Sequence, residues 1–189
     1  MFIRTPRLFL RPSWPEDWQE LFALLSDASI ALNIAAEKWP RTVEETKEFV
    51  CRPRENLLPH FFIHLRDDAG GKLIGGIGLG RAGEDVELGY WIAPDFWGHG
   101  YATEALRAML NHATMLGHRH VTASHFAENL ATARVLEKAG FVATGETKSR
   151  FSVSRGMNVA TTTYAVGLEA PDYSPVSLAG DLDGSAPLS

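Results

Sequence analysis

The chain has 189 residues, of which 45% are hydrophobic and 22% charged, a balance typical of one globular domain rather than of a disordered chain. Its formal net charge of −5, without a basic run, argues against a protein that binds nucleic acid through phosphate contacts. No apolar run reaches the roughly 18 residues that a membrane span needs, and the charged N-terminus is unlike a signal peptide. The single cysteine, Cys51, excludes an internal disulfide and suits the reducing cytoplasm, where we expect the protein to reside.

The N-terminal part of the sequence predicts a short strand followed by two helices. Leucines alternate with other residues around positions 8–10, which favours a strand. Two capping boxes of the form Ser/Thr-x-x-Glu follow, beginning at Ser13 and at Thr42, and each predicts the start of a helix. The first helix is expected over residues 15–25, and the stretch 30–40 between the two helices is expected to be irregular.

The middle of the chain predicts three strands separated by short turns that contain glycine or aspartate. Consecutive strands joined by short turns form an antiparallel meander. Their expected ranges are 61–65, 73–79 and 86–92.

The clearest helix of the sequence comes next. Between Ala102 and Leu116 the apolar residues recur at i, i+3, i+4 and i+7, and Gly117 ends the pattern. A strand followed by this helix and another strand implies a right-handed crossover between parallel neighbours. The elements expected after the helix are a strand over 120–126, a helix over 129–138, and strands over 141–143 and 161–168.

Together these elements predict one mixed α/β domain over residues 1–169. It should contain a single central sheet, with an antiparallel N-terminal meander and flanking helices. Residues 170–189 are rich in Pro, Gly, Ser and Asp and offer little to bury, which predicts a flexible C-terminal tail.

The turn over residues 97–103 lies between the last strand of the meander and the long helix. The first turn of a helix offers unpaired N–H donors and the positive end of the helix dipole. Glycines at 98 and 100 leave these donors open to a phosphate, although both could instead serve only to permit a tight turn. Residues 78–83 match Gly-x-Gly-x-x-Gly, but a strand follows them instead of a helix, so we reject a dinucleotide-binding loop there.

Three segments carry a resemblance to one enzyme family. Residues 87–92 (Glu-Leu-Gly-Tyr-Trp-Ile) and 96–106 (Phe-Trp-Gly-His-Gly-Tyr-Ala-Thr-Glu-Ala-Leu) resemble the central acetyl-CoA motif of the GNAT acetyltransferases. Residues 129–141 are similar to the second motif of that family. The opening Thr-Pro-Arg-Leu-Phe-Leu-Arg of residues 5–11 is typical of the branch that contains the ribosomal-protein alanine (Rim-type) N-acetyltransferases. The resemblance covers residues 5–168.

The resemblance implies how acetyl-CoA would bind. The strand over 86–92 would splay from the strand over 120–126, and the pantetheine arm would pair with its free edge in the gap. The pyrophosphate would rest on the amides of residues 98–103, and Asn129 would contact the arm or merely cap its helix. The residues implied to bind the co-substrate are Trp91, Ile92, Trp97, Gly98, His99, Gly100, Tyr101, Ala102, Thr103, Asn129 and Thr132. At Trp97 many family members have Gln or Arg instead.

Acetyl transfer also needs groups that move protons. An alkyl amine has a pKa near ~10, so a base must take its proton at neutral pH. Glu87 is our first candidate, with an ordinary ion-pair role as the alternative, and Glu104 is less suited because a carboxylate in a first helical turn complements the dipole. Leu136 occupies the position where many family members have a proton-donating tyrosine. Thr132 is therefore the candidate that would hydrogen-bond or protonate the departing thiolate, with helix capping as its alternative.

The function that the resemblance implies is transfer of an acetyl group from acetyl-CoA to a primary amine in a ternary complex. The α-amine of a protein or peptide is favoured as acceptor, with Trp39 and Tyr90 as candidate walls of its pocket; a small amine such as a polyamine or an aminoglycoside-like drug stays open. The alternatives are a sensor that binds acetyl-CoA without turnover, and a transferase for another acyl group if cationic residues line the tunnel beyond Glu87. We predict no metal site, no nucleic-acid or membrane partner, and leave a homodimer open.

Overall fold

A computed structural model of the chain describes residues 1–33, 40, 42–66, 71–152 and 155–169. The predicted substrate residue Trp39 and the predicted tail over 170–189 lie outside the described residues.

The described residues form eight strands and five α-helices. In chain order these are β1 (Ile3–Arg4), β2 (Leu8–Arg11), α1 (Trp18–Leu25), α2 (Ala28–Asn33), α3 (Val43–Cys51), β3 (His60–Leu65), β4 (Lys72–Ala82), β5 (Asp85–Ile92), α4 (Tyr101–Met115), β6 (His120–Phe126), α5 (Leu130–Ala139), β7 (Val142–Ser152) and β8 (Met157–Gly167). Short 3₁₀ turns at Pro15–Asp17 and Pro94–Phe96 precede α1 and α4.

All eight strands belong to one sheet in the order β1-β2-β3-β4-β5-β6-β8-β7. Every neighbouring pair is antiparallel except β5 and β6. The predicted mixed sheet with an antiparallel N-terminal meander is therefore confirmed.

The two parallel strands part almost at once. They share one register pair, Glu87 with Thr122, and the Thr122 hydroxyl donates to the Val86 carbonyl at 3.2 Å. On its other side β5 pairs with β4 from Asp85 to Ile92. The end of β5 thus leaves β6 and opens a gap in the sheet, as the resemblance implies.

The helices cover both faces of the sheet because β3 and β4 are apolar on both sides. Phe61 and Ile63 belong to the core cluster that includes α4, whereas Phe62 between them belongs to the cluster with α1 and α3. This alternation is the period-two pattern of a strand. Residues of α4 and α5 buried in the first cluster are Ala105, Leu106, Met109, Leu110, Ala113 and Leu136.

Of the two predicted capping boxes, one is found in the structure and one is not. The Thr42 capping box is confirmed, since its hydroxyl accepts from the Glu45 amide at 3.1 Å. The Ser13 box is wrong: Ser13 donates to the Val50 carbonyl at 2.7 Å, and the Asp17 carboxylate accepts from the Trp14 amide instead. Ser13 is drawn away by a tertiary partner that sequence spacing does not reveal.

Two further predicted ranges differ from the structure: one contains a helix, and one belongs to a longer strand. The helix Ala28–Asn33 occupies the start of the stretch predicted to be irregular over 30–40. Strand β7 runs to Ser152, well beyond the predicted end at 143, because it pairs with the equally long β8 in a hairpin. Its side chains are mostly exposed, so no apolar alternation marks the strand.

Candidate active site

A cleft of about 320 Å³ lies where β5, the start of α4 and the start of α5 come together. It is lined by all the residues that the sequence implied for acetyl-CoA except His99, whose ring instead stacks on Tyr101 at 5.6 Å between centroids. The end of β5, the head of α4 and the start of α5 therefore line one continuous depression.

The head of α4 presents backbone amides to this cleft. Hydrogen bonding within the helix starts with the Glu104 amide, which donates to the Gly100 carbonyl at 3.1 Å. The amides of the three residues before Glu104 thus precede the first bond of the helix. Gly98 and Gly100 have φ of +79° and +78°, a left-handed conformation that favours glycine, and a Cβ at Gly98 would meet nothing within 4 Å. The turn is therefore open around Gly98.

The N-terminal segment holds this turn in place through Glu104. The Glu104 carboxylate accepts from the Thr5 hydroxyl at 2.6 Å and from Nε of Arg7 at 2.7 Å. Arg7 in turn donates to the His99 carbonyl at 2.9 Å and stacks over the Tyr101 ring. Burial raises the pKa of Glu104, but the bonds from Thr5 and Arg7 outweigh it and hold this pKa below its usual range. Glu104 is thereby occupied as a structural anchor.

Two further side chains connect the cleft elements. The indole N–H of Trp97 donates to the Ile92 carbonyl at 2.7 Å, which ties the turn to the end of β5. Asn129 caps α5, its side-chain oxygen accepting from the Thr132 amide at 3.2 Å. The capping alternative for Asn129 is thus observed, and the residue also lines the cleft.

A second cavity, of about 340 Å³, adjoins the first. Side chains from β3 to β7 line it, among them His60, Glu87, His125 and Arg150. Tyr90, Trp91 and Thr132 line both cavities. These three residues therefore mark the boundary between the two cavities.

Tyr90 and Thr132 are neighbours at this boundary. Burial raises the pKa of Tyr90 to about 12, and the nearby Thr132 side chain opposes this shift. Tyr90 consequently keeps its proton at neutral pH and is able to donate it.

Glu87 is held in the second cavity by Arg150, a residue that the sequence analysis missed. Their two contacts are Oε1 to Nη2 at 2.9 Å and Oε2 to Nη1 at 3.0 Å. The side chains are 20% and 30% exposed, so solvent screens this pair less than a surface pair. The ion-pair alternative for Glu87 is observed, and each carboxylate oxygen still has a lone pair for a second donor.

His125 also escaped the sequence analysis as a site residue. It is 6% exposed, and its Nδ1 lies 2.7 Å from the Phe126 carbonyl. Its Nε2 is buried without a hydrogen-bond partner among the described residues. Since Nδ1 is placed to donate to the carbonyl, Nε2 is left as an acceptor beside the cavity.

Comparison with known proteins decides the family. The acetyltransferase (GNAT) domain matches residues 7–142, well over half of the chain. The chain belongs to the GNAT acetyltransferase family. The predicted family and fold are thereby confirmed, and the protein is an acyltransferase.

Similar proteins agree with this GNAT assignment. The uncharacterized N-acetyltransferase YnaD of Bacillus subtilis is 32% identical over 143 residues, which cover 74% of this chain and 82% of YnaD. A GNAT acetyltransferase structure from Bacillus anthracis is 25% identical, with a TM-score of 0.74 and coverage of 88% and 98%. The ribosomal L7/L12 α-N-protein acetyltransferase RimL, solved with coenzyme A, shares the fold at 18% identity, with a TM-score of 0.74 and coverage of 90% and 100%.

Several sequence-predicted groups come together in this GNAT structure, and two residues that the sequence did not indicate join them. Glu87, Tyr90 and Thr132 line one cavity. Arg150 and His125 join them without any recognisable spacing signal. In the described part of the chain, no three His, Cys, Asp or Glu side chains gather in a way that could hold a metal ion. No helix among the described residues has the length and apolar character for crossing a membrane.

Proposed function

We propose that this GNAT enzyme moves an acetyl group from acetyl-CoA to a primary amine by direct attack in a ternary complex. The observation that carries the proposal is the pair of cavities that share Tyr90, Trp91 and Thr132. One cavity suits a phosphate-bearing co-substrate, and the other suits an acceptor next to a carboxylate.

The first cavity has the features that coenzyme A needs. The amides at the head of α4 would bind the diphosphate. The edge of β5 that faces away from β4 would pair with the pantetheine arm. Asn129 and Thr132 line the same cleft, so they are proposed to contact the arm near its sulfur. The coenzyme A bound to RimL supports this choice of co-substrate.

The second cavity would hold the acceptor. As the amine nitrogen bonds to the thioester carbon, Glu87 would accept the proton that the nitrogen loses, directly or through a water. Arg150 would keep the Glu87 carboxylate oriented through its two contacts. Backbone amides near Trp91 and Ile92 are the proposed donors to the developing oxyanion.

The carbon–sulfur bond then breaks, and the departing thiolate needs a proton. Tyr90 would supply it, since its phenol is protonated at neutral pH and the residue lines both cavities. Thr132, which lines the same boundary, would help to orient the phenol. The sequence indicated Tyr90 as a residue lining the acceptor pocket and Thr132 as the candidate to protonate the thiolate. The proposed mechanism assigns that protonation to Tyr90.

A thiol-release assay tests this proposal. Acetyl-CoA and succinyl-CoA would each be combined with peptides, amino acids, polyamines and aminoglycosides, with mass spectrometry of the products. N-acetylated product supports the proposal. A preference for succinyl-CoA would show that the enzyme transfers a succinyl group instead of an acetyl group. Tight binding of CoA by calorimetry, with no transfer to any amine, would favour the sensor alternative instead.

The cellular setting stays a prediction. The single cysteine favours the cytoplasm, and fractionation of the producing cells would test this location. The open question of a homodimer is answered by light scattering of the purified protein.

A further inference from the structure

The second cavity has a charge opposite to that of the whole chain. The described residues of its lining include three cationic side chains, Arg54, Arg81 and Arg150, and one carboxylate, that of Glu87. The chain carries a net charge of −5, so this local excess of positive charge is not a general property of the protein.

Two of these three arginines are already neutralised. Arg150 pairs with Glu87 at 2.9 Å, and Arg81 pairs with Glu55 at 2.9 Å. Within the described residues no carboxylate pairs with Arg54. Among the described residues, Arg54 is therefore the arginine of this cavity that has no carboxylate partner.

Arg54 is positioned by a contact with an aromatic ring, which does not neutralise its positive charge. Its guanidinium carbon lies 5.0 Å from the centroid of the Phe49 ring, which also lines the cavity. Burial, followed by the nearby charge of Arg52, lowers the pKa of Arg54, as expected for a cation without a counter-ion. An anion bound there would offset both effects.

His60, beside Arg54, adds no charge of its own. Its ring makes edge-on contacts with Phe49 and Phe62, and the distances between ring centroids are 5.6 and 5.9 Å. Burial, aided by the charge of Arg54, lowers the pKa of His60 to about 3. His60 is therefore neutral at physiological pH and forms an uncharged wall under Arg54.

We propose that the acceptor carries an anionic group, a carboxylate or a phosphate, near its amine, and that Arg54 binds this group. The proposal rests on the amine-acetylating function proposed above. The amine would lie toward Glu87 and the buried acceptor Nε2 of His125, and the anion would lie toward Arg54 at the exposed side of the cavity. A polyamine places a second positive charge where the cavity already has one in excess, and is a poor acceptor for that reason.

Matched acceptor pairs test this assignment. Phosphoethanolamine is compared with ethanolamine, and the peptide Gly-Asp with Gly-Asn, both peptides amidated at the C-terminus; spermidine is the polycationic probe. The anionic member of at least one pair should have a kcat/KM about tenfold or more higher, and the pair that responds identifies phosphate or carboxylate. Raising the ionic strength about tenfold should reduce this advantage, since screening weakens exposed charge contacts.

Variants then locate the contact. R54Q should abolish the advantage, and R54E should reverse it, while the affinity for CoA stays unchanged. R52Q is the control, because Arg52 also lies against Phe49, at 5.9 Å, but does not line the cavity. This variant should leave the ratio of the two kcat/KM values as it is.

The outcomes separate this inference from the function on which it rests. Equal or better transfer to the neutral members or to spermidine, or an unchanged ratio in R54Q, overturns the anionic acceptor and leaves amine acetylation standing. Transfer to no amine at all, with CoA bound, overturns the proposed function and this inference with it.

Discussion

Glu87 and Arg150 are joined by two charge-assisted hydrogen bonds, of 2.9 and 3.0 Å, although their strands are separated in the sheet by β6 and β8. The pair fixes the carboxylate at one side of the acceptor cavity. A carboxylate held in this way has little freedom to turn from a bound amine, which is the requirement for a positioned base.

Replacing Glu87 with Gln should lower kcat about a hundredfold at neutral pH. The amide cannot accept the amine's proton, so the reaction must wait for free amine, and the pH–rate profile should shift upward. Steady-state kinetics from pH 6 to 10 with one amine measure this, with E84Q in the exposed turn before β5 as control. An unchanged profile removes Glu87 from the mechanism.

Replacing Tyr90 with Phe removes the phenol hydroxyl of a residue that lines both cavities together with Thr132. We expect kcat to fall by about tenfold to a hundredfold, with little change in the KM for acetyl-CoA. An acetyl thioester with a more acidic thiol should recover part of the rate, since its thiolate leaves without help. If the loss is the same with both donors, Tyr90 does not protonate the thiolate.

Replacing Gly98 with Ala should weaken CoA binding about tenfold. Its φ of +79° strains any Cβ, and the added methyl would occupy open space in the turn that we propose for the diphosphate. G83A is a matched control, because Gly83 also has positive φ, +67°, with open space around it in the turn before β5. Both variants should lose similar thermal stability, and calorimetry should show the affinity loss in G98A alone; equal affinities would place the diphosphate elsewhere.

Arg7 should influence coenzyme affinity without touching the coenzyme. R7Q removes the bonds to Glu104 and to the His99 carbonyl, so the turn over 98–100 gains freedom that binding must then restrict. The Kd for CoA should rise severalfold, whereas R4Q on β1 should not change it. Calorimetry at equal temperature compares the two, and matching Kd values would show that the turn is rigid without Arg7.

The buried His64 should make the folded protein less stable as the pH falls. It is 5% exposed with Nε2 at 3.1 Å from Arg11, and burial followed by the Arg11 charge lowers its pKa to about 4. Between the ordinary pKa near 6.5 and this value only the unfolded chain binds the proton at His64. His64 therefore contributes a fall in the free energy of unfolding of about 1.4 kcal/mol per pH unit as pH falls through that window. Urea unfolding should show a shallower fall in H64Q and the wild-type slope in H120Q, which changes an exposed histidine. Equal slopes in both variants contradict the assignment.

Local signals explain which parts of the fold could be predicted. The helix Tyr101–Met115 and the cap at Thr42 depend on residues a few positions apart, and both are found. The failures arise where a distant partner competes, as Val50 does for the Ser13 hydroxyl. Strand β7 escaped because exposed side chains give no apolar period, and backbone pairing with β8 alone defines it.

The same division holds for the site. The turn over 98–103 and the residues Glu87 and Asn129 lie in contiguous motifs, so they could be named in advance. Arg150 is 63 positions from its partner, and only the completed sheet brings the two together. Charge balance in the acceptor cavity likewise depends on which arginines find carboxylates, and no linear pattern encodes that.

The lone rung between Glu87 and Thr122 leaves the sheet with a seam. Strands β1–β5 on one side and β6–β8 on the other share few backbone hydrogen bonds beyond this pair. The two halves of the sheet should therefore move relative to each other until a ligand fills the gap between β5 and β6. A coenzyme arm lying along β5 would restrict the motion of both halves. We therefore expect amide hydrogen exchange to slow on both sides of the seam when CoA is added, well beyond the residues that touch it.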